Sequence, residues 1–183
     1  MNRDREKLPF EHLLALDRVT RVVKGGRRFR FRATMIVGDK EGKVGIGIAK
    51  AGDVVTAIIK ATERAERSMQ GVVVAGNTIS HQVLGVKDGS RVLLKPASPG
   101  TGLIAGGTVR VILEAAGVKD ILAKSLGSNN KINNAYATIN ALNSQRVITK
   151  KNAVRKKQID QYLKEQAVPD ANPEGFTKQG EDK

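Results

Sequence analysis

The sequence predicts an α+β protein built from two small units, each with an antiparallel hairpin and at least one helix. Three observations support that prediction. Residues 28–33 alternate cationic and apolar side chains, and the apolar face continues through Met35 and Val37, as expected for a strand with one buried face. Asp53 precedes a stretch with helical apolar spacing. A second hairpin signal, Asp88–Gly89, lies beyond that stretch and is followed by two more helical segments.

The first unit is predicted to run strand–strand–strand–helix. Residues 28–37 and 43–50 form a hairpin, and residues 13–24 add a strand whose alternation is weaker. The side chain of Asp53 caps a helix that continues to about residue 69. We expect two apolar sets to be buried, one on the second strand and one on the helix: Phe29, Phe31, Ala33, Met35 and Val37, and Val54, Ile58, Ala61, Ala65 and Met69.

The second unit begins with a hairpin. We predict its turn at Asp88–Gly89, because both of these residues tolerate positive φ. Residues 108–117 alternate like a strand at first, but their Glu-Ala-Ala-Gly ending is typical of a helix C-terminus, so we predict a helix. The other predicted elements are a glycine-rich loop at 96–107, a short strand at 120–127, and a helix at 133–145 with Ala135, Ile139 and Leu142 inward.

The composition indicates a polyanionic partner. The formal net charge is +14 over 183 residues, whereas only 3% of the residues are aromatic. The apolar runs are too short to span a bilayer, and no basic amphipathic helix carries aromatic anchors, so nucleic acid is favoured over a membrane. The N-terminus lacks the apolar core of a signal peptide, and there is no cysteine. We therefore expect a cytoplasmic protein without a membrane span.

The cations are concentrated in the segment from Arg18 to Thr34, which has no carboxylate. Its positive side chains are Arg18, Arg21, Lys24, Arg27, Arg28, Arg30 and Arg32. Alternate residues of a strand share a face, so Arg28, Arg30 and Arg32 form a row of fork-shaped donors suited to phosphates. Gly25 and Gly26 have no side chains, which lets the backbone approach a partner closely. This segment is the predicted nucleic-acid contact.

Nucleotide binding by the glycine-rich loop is a weaker alternative. Residues 100–105 match the pattern G-x-G-x-x-A, and Gly102 and Gly107 have the spacing of a P-loop. A hairpin rather than a lone strand precedes the loop, and Thr108 and Val109 stand where a P-loop has Lys and Ser or Thr. The two histidines are isolated and no carboxylates cluster, so we predict no catalytic residue, metal site or cofactor.

The stretch "VTRVVKGGRRFRFRATMIVGDKEGKVGIGIAKA" resembles the bacterial small-subunit ribosomal protein five family. The blocks "SPGTGLIAGG", "VRVILEAAGVKDILAKSLGSNN" and "NAYATINAL" extend the resemblance in the same order and spacing. It implies a domain at 9–72 like double-stranded-RNA-binding domains, with a three-stranded antiparallel sheet and a helix. It also implies a β-α-β-α two-layer sandwich at 77–147. A tail at 1–8 and a basic extension at 148–183 with a disordered end would flank the two domains.

The resemblance also implies a function. Family members are structural constituents of the small ribosomal subunit that bind its rRNA, support assembly and contribute to translational accuracy, beside ribosomal proteins four and eight. It places the loop around Gly25 and Gly26 against RNA and the glycine-rich segment at a protein interface, through Gly100, Gly102, Gly106 and Gly107. Two alternatives remain open from the residues: a free-standing RNA-binding or chaperone-like protein, and a nucleotide-dependent enzyme.

Overall fold

Eight strands and three helices make up residues 8–145, the part of the chain that this computed structural model describes. The strands are β1 (Phe10–Val23), β2 (Gly26–Gly38), β3 (Lys43–Ala51), β4 (Gln70–Gly71), β5 (Val83–Lys87), β6 (Ser90–Pro96), β7 (Leu103–Ile104) and β8 (Ile121–Ser125). The helices are α1 (Val54–Arg67), α2 (Gly107–Ala116) and α3 (Lys131–Asn143). The predicted α+β class is confirmed. The predicted extension at 148–183 and all but the last residue of the predicted tail lie outside the described residues.

The first sheet has the order β1-β2-β3-β4, with every neighbouring pair antiparallel. The three predicted strands are present, but the predicted count of three was wrong. The two-residue strand β4 pairs with the start of β3, because the chain leaving α1 returns along that edge. Helix α1 begins where predicted, since the Asp53 carboxylate accepts a 3.2 Å hydrogen bond from the N–H of Val55.

Helix α1 packs directly against the backbone of the first sheet, because small residues face each other. A Cβ added to Gly45 or Gly47 of β3 would overlap the carbonyl oxygen of Ala65 or Ala61, respectively. The buried helix residues are Ala57, Ala61, Thr62 and Ala65. The predicted stripe is thus wrong in part: Val54, Ile58 and Met69 are only half-buried. The larger side chains lie at the margins because the centre of the contact has no room for them.

The alternating pattern of β2 does not match its burial. Phe29 is exposed, although the alternation predicts it buried. Thr34 and Ile36, on the predicted outer face, have no exposed surface at all. The reason is that the strand passes from a protruding end into a layer covered on both sides. Ala33, Met35 and Val37 pack towards α1, whereas Ile36 joins a second core.

The second sheet has the order β5-β6-β8-β7, with β7 and β8 parallel and joined by α2. The predicted turn at Asp88 is confirmed by its φ of 50°. Both predicted helices are also confirmed, with Gly117 ending α2 in the left-handed conformation (φ 81°). Helix α3 lies directly on β5, since a Cβ on Gly85 would overlap the carbonyl oxygen of Ala137.

One buried core joins the two sheets. Ile36, Val44 and Ile46 of the first sheet belong to the same apolar cluster as the residues of the second unit, including Ile112, Leu113 and Leu142. The boundary predicted between residues 72 and 77 falls between β4 and β5 and stays a prediction.

Candidate nucleic-acid interface

Strands β1 and β2 extend past the rest of the first sheet as a two-stranded ribbon. The pairing of β2 with β3 ends at Phe31 and Ala51, while its pairing with β1 continues to Val23 and Gly26. Residues 20–30 are all exposed. The turn at the tip is Lys24–Gly25, and Gly26 has a φ of 133° that favours glycine. We call residues 18–30 the ribbon.

The register sorts the ribbon cations onto two faces, because directly paired residues point to the same side of a sheet. Arg21 is paired with Arg28, and Val19 with Arg30. Arg32 is paired with Lys50 of β3, which brings that lysine to the same side. Together, Arg21, Arg28, Arg30 and Lys50 form the cationic face. These four side chains line a cleft of about 320 Å³, with Val19, Thr20 and Val23 completing its wall.

The positive side chains of the cationic face repel one another. Like charges directly opposite on paired strands destabilise a sheet, and Arg21 faces Arg28 in that way. Among the described residues, none that lines the cleft carries a carboxylate. An anion bound there would relieve the repulsion, and arginine forks bind phosphate oxygens in pairs.

Arg32, just beyond the ribbon on β2, differs from the ribbon arginines because it has a carboxylate partner. Its Nε and Nη2 donate hydrogen bonds of 3.1 Å and 2.8 Å to Oδ2 of Asp17, its partner on β1. The predicted row of Arg28, Arg30 and Arg32 does lie on one face, but the third charge is neutralised within the protein. Asp17 lies one position before the acid-free segment. Its presence is visible in the sequence, but only the strand register shows that it pairs with Arg32.

The opposite side of the ribbon carries a different chemistry. Arg18 lies over the ring of Phe29, with its Cζ 3.8 Å from the ring centroid. Phe29 is 46% exposed and Val22 is 73% exposed. Arg27 is paired with Val22 on this side. We call Arg18, Val22, Arg27 and Phe29 the aromatic face.

The glycine-rich loop is held from inside the protein. Oδ1 of Asp120 accepts hydrogen bonds from the N–H groups of Gly100 (3.0 Å) and Gly102 (2.9 Å), and the residue is 6% exposed. Both glycines have positive φ, 88° and 76°. Those N–H groups therefore face a carboxylate instead of a phosphate. This geometry argues against the nucleotide-binding alternative, because a bound phosphate would meet a negative charge.

The last two glycines of the loop begin α2 on an open surface. Gly106 is the N-cap residue of α2 and Gly107 is its first residue. A Cβ at either position would meet nothing within 4 Å, and neither φ is positive. These positions accept side chains without strain, so they offer a clean way to test for a partner there.

Two negative observations apply to residues 8–145. No group of three or more His, Asp or Glu side chains is placed to hold a metal ion there. Within the same residues, every helix is too short or too polar to cross a bilayer.

Comparison with known proteins places the chain. The family model "Ribosomal protein S5, N-terminal domain" matches residues 10–73, and "Ribosomal protein S5, C-terminal domain" matches residues 85–155. The small ribosomal subunit protein uS5 of Thermotoga maritima is 53% identical over 132 residues, which cover 72% of this chain and 74% of the relative. The chain belongs to the ribosomal protein S5 family. The family resemblance found in the sequence is thus confirmed.

Two further relatives, both named small ribosomal subunit protein uS5, cover more of the S5-family chain. That of Baumannia cicadellinicola is 48% identical over 155 residues, or 84% of this chain and 93% of the relative. That of Picosynechococcus sp. is 47% identical over 146 residues, which cover 79% of this chain and 84% of the relative. The likeness therefore spans both sheets.

Sequence reasoning missed the roles of three residues in this S5-family protein. Lys50 is distant in sequence from the other cations of the cleft, and only the pairing of β2 with β3 reveals it. Asp17 removes Arg32 from the free charges. Asp120 is not among the predicted site residues, yet its carboxylate fixes the glycine-rich loop.

Proposed function

We propose that this S5-family protein is a structural, non-catalytic constituent of the small ribosomal subunit in the cytoplasm, and that it binds small-subunit rRNA through the ribbon. The names of its relatives support the assignment. The observation that carries it is the cationic face, where Arg21, Arg28, Arg30 and Lys50 converge on an exposed cleft. Such a concentration of cations, without an acidic partner among residues 8–145, suits a phosphate backbone.

The ribbon residues divide into two groups in this proposal. Arg21, Arg28 and Arg30 bind phosphates, with Lys50 beside them. Lys24 and Arg27 contribute further positive charge around the tip, where Gly25 and Gly26 leave the backbone accessible, and Arg18 adds a cation nearer the base of the ribbon. Arg32 instead holds β1 and β2 together through Asp17.

We further propose that neighbouring ribosomal proteins bind the second unit. Ribosomal proteins four and eight are the proposed partners, and the loop from Gly100 to Gly107 is one contact. Its open surface supports this, because a Cβ at Gly100, Gly102, Gly106 or Gly107 would have nothing within 4 Å. Assembly and translational accuracy would depend on those contacts.

Co-sedimentation with small subunits tests the rRNA part of the proposal. We expect the wild-type chain to enter small subunits during reconstitution and to travel with them in a sucrose gradient. The double variant Arg28→Gln/Arg30→Gln is expected to enter poorly, because it removes phosphate contacts from the ribbon. The matched control is Lys60→Gln/Arg67→Gln, which removes the same charge from α1 on the other side of the first sheet. Wild-type incorporation of the Arg28/Arg30 variant would refute the assigned site, and absence of the wild-type chain from the subunits would refute the function.

A substitution at Gly106 tests the protein contact. Asp is a favoured N-cap residue, so Gly106→Asp is expected to leave the stability of α2 intact or improve it slightly. It still places a charge on the proposed interface. We expect more stop-codon readthrough in a reporter strain than with Gly52→Asp, which adds the same charge at another open position. Equal readthrough, with both variants present in ribosomes, would contradict the contact.

A further inference from the structure

Phe29 lies on the protruding ribbon and not in either core. It is 46% exposed, while Phe31, two residues along the same strand face, packs at the edge of the core beneath α1. Phosphate binding by the cationic face needs no aromatic side chain on the other face. A large exposed ring on a cationic ribbon is thus unexplained by charge alone.

Arg18 converts this ring into a flat, positively charged surface. Its Cζ lies 3.8 Å from the ring centroid, which is the distance of direct stacking. Within residues 8–145, Arg18 has no carboxylate at ion-pair distance, and the residue is exposed. Thr20 is the direct cross-strand partner of Phe29, so Arg18 reaches the ring diagonally along β1.

We propose that the Arg18–Phe29 pair is a stacking platform for one unpaired RNA base. Unpaired bases in loops and bulges are recognised by stacking on aromatic rings and on arginine planes, whereas bases inside a duplex are not accessible for this. The ribbon has six cations and no acid from residue 18 to residue 30, which favours RNA over an apolar protein segment as the occupant. The inference rests on the proposed function and adds that the ribbon reads a break in RNA pairing, while the cationic face holds the flanking phosphates.

The test uses the full-length chain and two RNA stems. The stems are identical except that one contains a single bulged 2-aminopurine, whose fluorescence falls when the base stacks. We expect wild-type protein to bind the bulged stem about fivefold or more tightly than the fully paired stem, and to quench the probe. Phe29→Leu keeps an apolar side chain without the flat ring, so it is expected to abolish both the preference and the quenching. Phe29→Tyr should retain both.

Matched controls separate this inference from the proposed function. Arg30→Gln is expected to weaken binding to both stems by the same factor, because it acts on phosphates only. Since Phe29 is exposed, Phe29→Leu should melt at the wild-type temperature. Equal affinity of the wild-type protein for the two stems, or a preference that survives Phe29→Leu, would overturn the platform while leaving RNA binding in place. Loss of co-sedimentation by Phe29→Leu with an unchanged preference would point to a protein occupant and would also overturn it. Failure of the wild-type protein to bind either stem would refute the proposed function and this inference with it.

Discussion

The N–H of Lys40 donates a 3.0 Å hydrogen bond to the carbonyl oxygen of Ala115. Lys40 lies in the turn between β2 and β3, and Ala115 lies in the last turn of α2. The first unit thus satisfies one of the carbonyl groups that a helix leaves unpaired at its C-terminus. The same contact requires glycine at position 117, because a Cβ there would overlap the carbonyl oxygen of Lys40.

Gly117→Ala is expected to destabilise the whole described fold. Its φ of 81° alone costs about 1–2 kcal/mol for alanine. The overlap with Lys40 adds about 1–3 kcal/mol, since backbone must move. Urea unfolding of the full chain measures the loss. Gly76→Ala is the control, because Gly76 has a φ of 64° with nothing within 4 Å of an added Cβ. Equal losses in the two variants would show that the Lys40 contact contributes nothing.

Arg30 and Arg32 are expected to differ in RNA binding although they are two residues apart. Arg30→Gln should reduce the slope of log affinity against log salt by about 0.7–0.9, the value for one lost phosphate contact. Arg32→Gln should leave the slope near the wild-type value, because Asp17 already neutralises that charge. Its cost in stability should be under about 1 kcal/mol, since the pair is partly exposed. Filter binding at several salt concentrations distinguishes the two. Identical slopes for both variants would show that the ion pair does not persist in the complex.

Asp17→Asn provides the opposite change on the same pair. It removes the carboxylate and frees the Arg32 guanidinium beside Lys50. We expect tighter RNA binding and a steeper salt dependence than for the wild-type chain. The measurement is the same salt series, and weaker binding by Asp17→Asn would mean that the ion pair positions the ribbon instead of masking it.

Asp120→Ala is expected to release the glycine-rich loop. The N–H groups of Gly100 and Gly102 would lose a buried charged acceptor, which costs about 2 kcal/mol or more. Asp120→Asn keeps an oxygen acceptor in nearly the same place and should cost less. Urea unfolding gives the stability, and limited proteolysis reports exposure of residues 97–107. Similar behaviour of the Ala and Asn variants would show that the carboxylate charge, and not its acceptor geometry, holds the loop.

Gly47→Ala is expected to cost at least about 2 kcal/mol, because the new Cβ would overlap the Ala61 carbonyl and push α1 off the sheet. Gly52→Ala is the control and should change stability by no more than about 0.5 kcal/mol, since its Cβ would meet open space. Thermal melts of the two variants measure the difference. A mild Gly47→Ala would mean that α1 shifts easily and that the close contact is not needed.

Much of the fold was readable from the sequence because the signals act over a few neighbouring residues. The Asp53 cap, the left-handed Gly117 and the Asp88–Gly89 turn each depend on local backbone geometry, and each occurs where predicted. The concentration of cations on residues 18–32 is likewise a property of the chain itself. It indicated a polyanionic partner before any contact was known.

The tertiary structure decided which of those residues are buried, paired or free. Alternation in β2 shows two faces but not what covers them, so Phe29 is exposed at the protruding end and Ile36 is buried between the units. Strand register, which the sequence leaves open, pairs Arg32 with Asp17 and brings Lys50 to the cationic face. The physical reason is that burial and charge pairing arise between segments distant in the chain, whereas caps, turns and periodicity arise within one segment.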